Sequence, residues 1–194
     1  MAEHVHDLAS CTLPRVTKEE FYRSLQWGDM VACSGQAPVS KTIESLTGSL
    51  WSHILMVWLP FPHGPWLTLE ATIDKGVHVG LLSDYTDNQD GPLVLLRRSL
   101  TDSQRTEQMI VGLNLLDNHY DWRQEVTFAA HKLVKCLPVA HPKGELYCSG
   151  LEYVQAATVA PYAYKMDAAH PCMPTPEDIY TDPSVIAICL LEAL

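Results

Sequence analysis

The sequence predicts an α+β fold, a small and mainly antiparallel sheet packed against helices. Three observations carry this expectation. Short apolar or alternating runs, bounded by Gly, Pro and Asp turn signals, recur through the first half of the chain and once at its end. Stripes of apolar residues at helical spacing, several opened by capping residues, lie between and after them. With 194 residues, of which 47% are hydrophobic and 19% charged, the chain is long enough to bury one sizeable core without a metal or a disulfide framework.

The elements follow in order. Residues 1 to 26 read as a loosely held arm or a short helix, the helical part running from Lys18 to Leu25. Trp27-Gly28-Asp29 is a turn signal before the apolar run Met30 to Cys33, the first strand. Ser40 is placed to cap a short helix carrying Val39, Ile43 and Leu46 on one face, and Gly48 to end it. Trp51 to Leu59 is nearly continuous in apolar residues, as expected of a strand buried on both faces, with His53 close to its start. Pro60, Pro62, Gly64 and Pro65 force a turn. Trp66 to Ala71 then alternates with a period of two, the returning strand of a hairpin, with Glu70 towards its far end.

Gly76 to Leu81 and Leu93 to Arg97 read as further strands, separated by a polar loop from Asp84 to Gly91. Thr101 followed by Gln104 is a capping-box pattern, and the stripe Met109, Leu113 and Leu116 predicts a helix ending near Asn118. A second long helix is expected over Gln124 to Leu137, and a third from Tyr147-Cys148-Ser149 towards Val159, with Cys148 in its first turn. Thr175 to Asp178 reads as a helix cap and Val185 to Leu190 as the last strand. No internal repeat or linker marks a second domain.

Composition excludes several classes of function. A formal net charge of -10, with no run of Lys or Arg, argues against nucleic-acid partners and against adsorption to an anionic membrane. The longest apolar stretches, Ile54 to Leu59 and Val185 to Leu191, fall far short of the roughly 20 residues needed to span a bilayer. The first residues lack the basic and apolar regions of a secretory signal, so the chain is expected in the cytoplasm as synthesised, any export following a signal-independent route. Its six cysteines are scattered without CxxC pairs, as suits free thiols in a reducing compartment. Neither His4 with His6 nor His170 with Cys172 has further ligands at zinc spacing, so no metal or other cofactor is expected.

The chemistry rests on three residues. Nucleophilic cysteine catalysis needs a thiolate, a base to create it, and a third group to orient the base. A helix N-terminus offers partial positive charge and free N–H groups to a cysteine sulfur and to a developing oxyanion, and Cys148 has that setting. His53 and Glu70, on neighbouring strands, are the base and its orienting carboxylate. Ser52, Tyr147, Ser149, Tyr120 and Asp121 are candidates for the oxyanion site or the cleft.

Gly28-Asp29, Ser52-His53-Ile54, Leu69-Glu70-Ala71 and Cys148-Ser149, in that order, resemble the circularly permuted NlpC-type (YiiX-like) group of papain-like enzymes. Tyr120-Asp121 and Thr175-Pro176-Glu177-Asp178 are similar as well, so the likeness spans roughly residues 27 to 190. The resemblance implies one permuted papain-like catalytic domain over 27 to 194, with a small antiparallel sheet or barrel packed against helices. It also implies an amidase, peptidase or acyl-transfer activity, with a peptide or cell-wall fragment as the favoured substrate. A lipid acyltransferase or thioesterase, and a catalytically silent binding protein, are the alternatives on the same fold.

Overall fold

The computed structural model describes residues 12–35, 38–60, 65–88, 91–120, 145–159 and 175–192. Among them, helix α1 (Lys18–Ser24) opens on a capping box between Thr17 and Glu20. It is no loose appendage. Its Phe21 is fully buried and packs, with Leu25, against the sheet.

Strand β1 (Met30–Cys33) follows, entered through Gly28 at φ 80, a conformation open to glycine. Helix α2 (Pro38–Thr47) starts at Pro38, so Ser40 lies in its first turn rather than at its cap; proline suits a first turn because the N–H it lacks has no helical partner there. Gly48, at φ 64, ends it. Strands β2 (His53–Pro60), β3 (Trp66–Thr72) and β4 (Gly76–Leu81) form a meander. The segment read as a polar loop from Asp84 begins instead as helix α3 (Leu82–Thr86), whose Leu82 is buried in the core. Five residues are too few for a periodic stripe, and the helix exists because Leu82 can bury itself.

Strand β5 (Leu93–Arg98) leads to helix α4 (Asp102–Leu113), opened by the Thr101–Gln104 capping box. That helix stops at Leu113, earlier than the stripe to Leu116 suggested, because the chain turns through Asp117 at φ 66 to hydrogen-bond Val77. Two-residue strands β6 (His119–Tyr120) and β7 (Glu145–Leu146) pair in parallel. Helix α5 (Cys148–Val159), helix α6 (Pro176–Tyr180) and strand β8 (Val185–Leu191) complete the described elements. The helix expected over Gln124 to Leu137, like the turn at Phe61 to Gly64, lies outside the described residues.

Six strands make one open antiparallel sheet in the order β4-β3-β2-β1-β5-β8, an open sheet rather than a barrel. Side chains alternate across it, so each face receives its own core. One face carries Val31, Leu55, Val57 and Leu95 under α1 and α3. The other carries Met30, Ala32, Ile54 and Val94 with Trp51, Cys148 and Ile179, and beside them Met56, Leu69 and Ala71 under Met109 of α4 and Leu151 of α5.

Polar ties fix the helices that matter to the site. Arg98 of β5 pairs with Glu152 of α5, both buried. Ser49, just before β2, donates to Glu177 of α6 at 2.7 Å. The first ties α5 to the sheet, and the second ties α6 to the entrance of β2.

Candidate active site

His53 is the first residue of β2, directly opposite Cys33 of β1. Counting from the pair Met56–Leu69 places His53 and Glu70 on the same face, since each lies an odd number of residues away. The diagonal between strands is within reach of a long side chain, and Glu70 Oε2 lies 3.1 Å from His53 Nε2. Glu70 is only 2% exposed and holds further donors: Thr68 donates to Oε1 at 2.8 Å and the Tyr85 hydroxyl donates to Oε2. From β4, His78 brings Nε2 to 3.9 Å of Glu70 Oε1, while its Nδ1 lies 3.0 Å from the Gly76 carbonyl. Gly80 leaves the room this carboxylate occupies, for a Cβ there would stand 2.2 Å from Glu70 Oε1 and 2.8 Å from Thr68 Oγ1.

Cys148 opens α5, and the helix's first backbone bond runs from Leu151 N–H to the Tyr147 carbonyl at 2.8 Å. The sulfur sits in the apolar cluster with Trp51 and Ile179, and the residue is 3% exposed. It lies close enough to His53 to be among the groups that raise that imidazole.

The charges follow from this arrangement. Burial works against a charged imidazole, but the hydrogen bond and negative charge of Cys148, then those of Glu70, raise His53 to about 10. Burial likewise works against the Glu70 anion, and the bond to His53, its charge, and the Tyr85 and Thr68 hydroxyls lower Glu70 to about 2. Burial and the neighbouring carboxylate push Tyr85 up, so its hydroxyl stays a donor. Cys33 is pushed well up, first by burial and then by Glu70 and Cys148.

A cleft of about 440 Å³ opens beside His53. Tyr85 and Tyr120 line it, together with the apolar Ile43, Ala71, Ile73 and Leu93. Asp84 is the one acidic residue in its described lining, which holds no Lys or Arg. Cys148 is not among the residues that line it.

The structure thus brings Cys148, His53 and Glu70 into one chain of contacts and places the remaining candidates as follows. Ser52 lines the cleft, but its hydroxyl is engaged by the Gly35 N–H at 3.2 Å and the Cys33 carbonyl at 3.4 Å. Tyr147 and Ser149 are buried on either side of Cys148, and Ser149 Oγ has no hydrogen-bond partner among the described residues. Asp121 lies outside the described residues. Sequence reasoning missed Thr68, His78 and above all Tyr85. The alternation of β3 places Thr68 on the face of Glu70, a usable signal, whereas Tyr85 stood in a stretch read as loop.

No protein-family model matches the sequence, and no curated protein matches it. Among solved structures, the metalloprotein yiiX from Escherichia coli O157:H7 superposes with a TM-score of 0.62 over 84% of this chain and 96% of that one, at 16% identity. Among the described residues here, no group of three or more His, Cys, Asp or Glu side chains is gathered to hold a metal ion. The open six-stranded sheet and its helices therefore have a fold similar to that of yiiX.

Proposed function

We propose that this chain is a papain-like cysteine hydrolase of the circularly permuted NlpC type, cleaving an amide bond in a peptide or peptidoglycan stem peptide. The observation that carries the reading is the series Glu70, His53, Cys148, with the cysteine in the first turn of a twelve-residue helix. His53 Nε2–H donates to Glu70, which leaves Nδ1 to exchange a proton with the sulfur. With its proton held up to about pH 10, His53 stands as imidazolium across the neutral range, the partner that an attacking thiolate at Cys148 requires. The thiolate attacks the carbonyl carbon, and the oxyanion is met by the Cys148 N–H at the helix start. His53 protonates the departing amine, then takes a proton from the water that attacks the thioester and frees the acid.

A second reading, hydrolysis or transfer of a lipid acyl chain by the same Cys148, is favoured by the apolar Ile43, Ala71, Ile73 and Leu93 in the cleft. One experiment separates them. Wild type and Cys148→Ala are incubated in turn with muropeptides and with phospholipid vesicles, and intact-mass spectrometry follows both products and acyl adducts. Cleaved muropeptide with wild type alone supports the amidase. An acyl adduct from phospholipid, confined to Cys148, moves the assignment to acyl transfer. Neither product, together with alkylation of Cys148 at the same rate in His53→Ala, overturns catalysis and leaves a binding protein on this fold.

A further inference from the structure

Tyr85 has no place in the three-residue scheme, yet it touches both His53 and Glu70. Its hydroxyl donates to Glu70 Oε2, the same oxygen that holds His53, and lies 3.3 Å from His53 Nε2. Its ring stacks on the imidazole, with centroids 5.8 Å apart and planes inclined by 14°. It stands at the cleft wall on α3, a helix whose position is set by burial of Leu82.

We infer that Tyr85 is a positioning residue of the His53–Glu70 pair, its ring fixing the plane of the imidazole and its hydroxyl tempering the hold of Glu70 on the His53 proton. The inference rests on the catalytic reading above. A carboxylate oxygen has lone pairs for two donors, and His53 and Tyr85 take them on Oε2 while Thr68 bonds Oε1. The Tyr85 hydroxyl donates to the same Oε2, so it satisfies part of the negative charge on Glu70 that would otherwise act on the imidazolium alone. Without it, Glu70 would keep the proton on His53 more firmly and give it up to a leaving amine less readily. Without the ring, the imidazole loses its flat support on the cleft side and can turn away from the sulfur. Among the described residues, the other ionisable groups around the pair are Cys33 from β1, His78 from β4, Asp84 from α3 and Cys148 from α5. None of them offers a ring to the imidazole face.

The test is the pH dependence of Cys148 alkylation by iodoacetamide, followed by peptide mass mapping, in wild type, His53→Ala, Tyr85→Phe and Tyr85→Leu. A slower His53→Ala than wild type at neutral pH establishes the pair. Given that, Tyr85→Phe is expected to keep a near-normal neutral rate while its alkaline inflection, where His53 loses its proton, moves up by about one pH unit, the scale of one hydrogen bond to a charged group. Tyr85→Leu, which removes the ring as well, is expected to slow alkylation by about tenfold or more through misplacement of the imidazole. Wild-type profiles for both Tyr85 variants, alongside a slow His53→Ala, overturn the role of Tyr85 and leave the dyad standing. Indifference of the rate to His53→Ala overturns the dyad itself and the Tyr85 role with it. Phenylalanine keeps the shape and packing of Tyr85, so a moved inflection separates electrostatic tuning from simple loss of fold.

Discussion

Glu70 illustrates how one buried side chain couples chemistry to stability. Its folded value near 2 lies below the usual 4.5, so the stability it contributes is complete above about pH 4.5 and is lost as the pH falls towards 2. His53 is raised from 6.5 to about 10, so its contribution is complete below 6.5 and is lost as the pH rises towards 10. The thermal midpoint of the wild type should therefore peak between about 4.5 and 6.5 and fall on both sides. In Glu70→Gln the acid-side fall should shrink. Its alkaline fall should also shrink and end at lower pH, because one of the causes that raises His53 is gone. Calorimetric melts across this range check both limbs, and superimposable curves for the two proteins would contradict the assignment.

At the scale of elements, the site depends on how closely β4 lies against β3. Gly80 faces Thr68 across the two strands, and its missing side chain is the space the Glu70 carboxylate fills. A methyl group there must displace Glu70 Oε1, the far end of a long side chain, and also Thr68 Oγ1, both side-chain atoms rather than backbone. Gly80→Ala should then cost little stability, about 1 kcal/mol as for modest overpacking, while slowing Cys148 alkylation by about tenfold through the misplaced orienting group. Parallel measurement of thermal midpoint and alkylation rate checks the split. An unchanged rate would mean that Glu70 does not act through this position.

Across the whole molecule, the end of β1 away from His53 is held by Asp29, which is wholly buried. It accepts two bonds from Arg97, each at 2.7 Å, and one from the Gln26 N–H, also at 2.7 Å. Arg97 also bonds the Ser24 carbonyl at the end of α1. One carboxylate thus ties the first helix, the entrance to β1, and β5. Asp29→Ala would strand the guanidinium and the amide together, and a loss of about 3 kcal/mol is expected, at the lower end of the range because Arg97 is partly exposed. Urea denaturation should show the lowered midpoint. Alkylation of Cys148 in the folded fraction should be unaffected, as α5 and β2 are held by other contacts.

Some of this was written locally. The strand runs at Met30, Trp51, Trp66 and Val185, the capping box at Thr101 and a cysteine opening a helix at Tyr147-Cys148 are legible because periodicity and capping act over a few neighbouring residues. The alternation of β3 likewise puts Glu70 and Thr68 on one face before any pairing is known. The tertiary structure alone decided the register that brings Glu70 to 3.1 Å from His53, the open form of the sheet, and the short helix that carries Tyr85 to both. Those depend on contacts between residues distant in the chain, where burial of a single Leu82 can outweigh the weak local preference of five residues, and no short-range pattern records that balance.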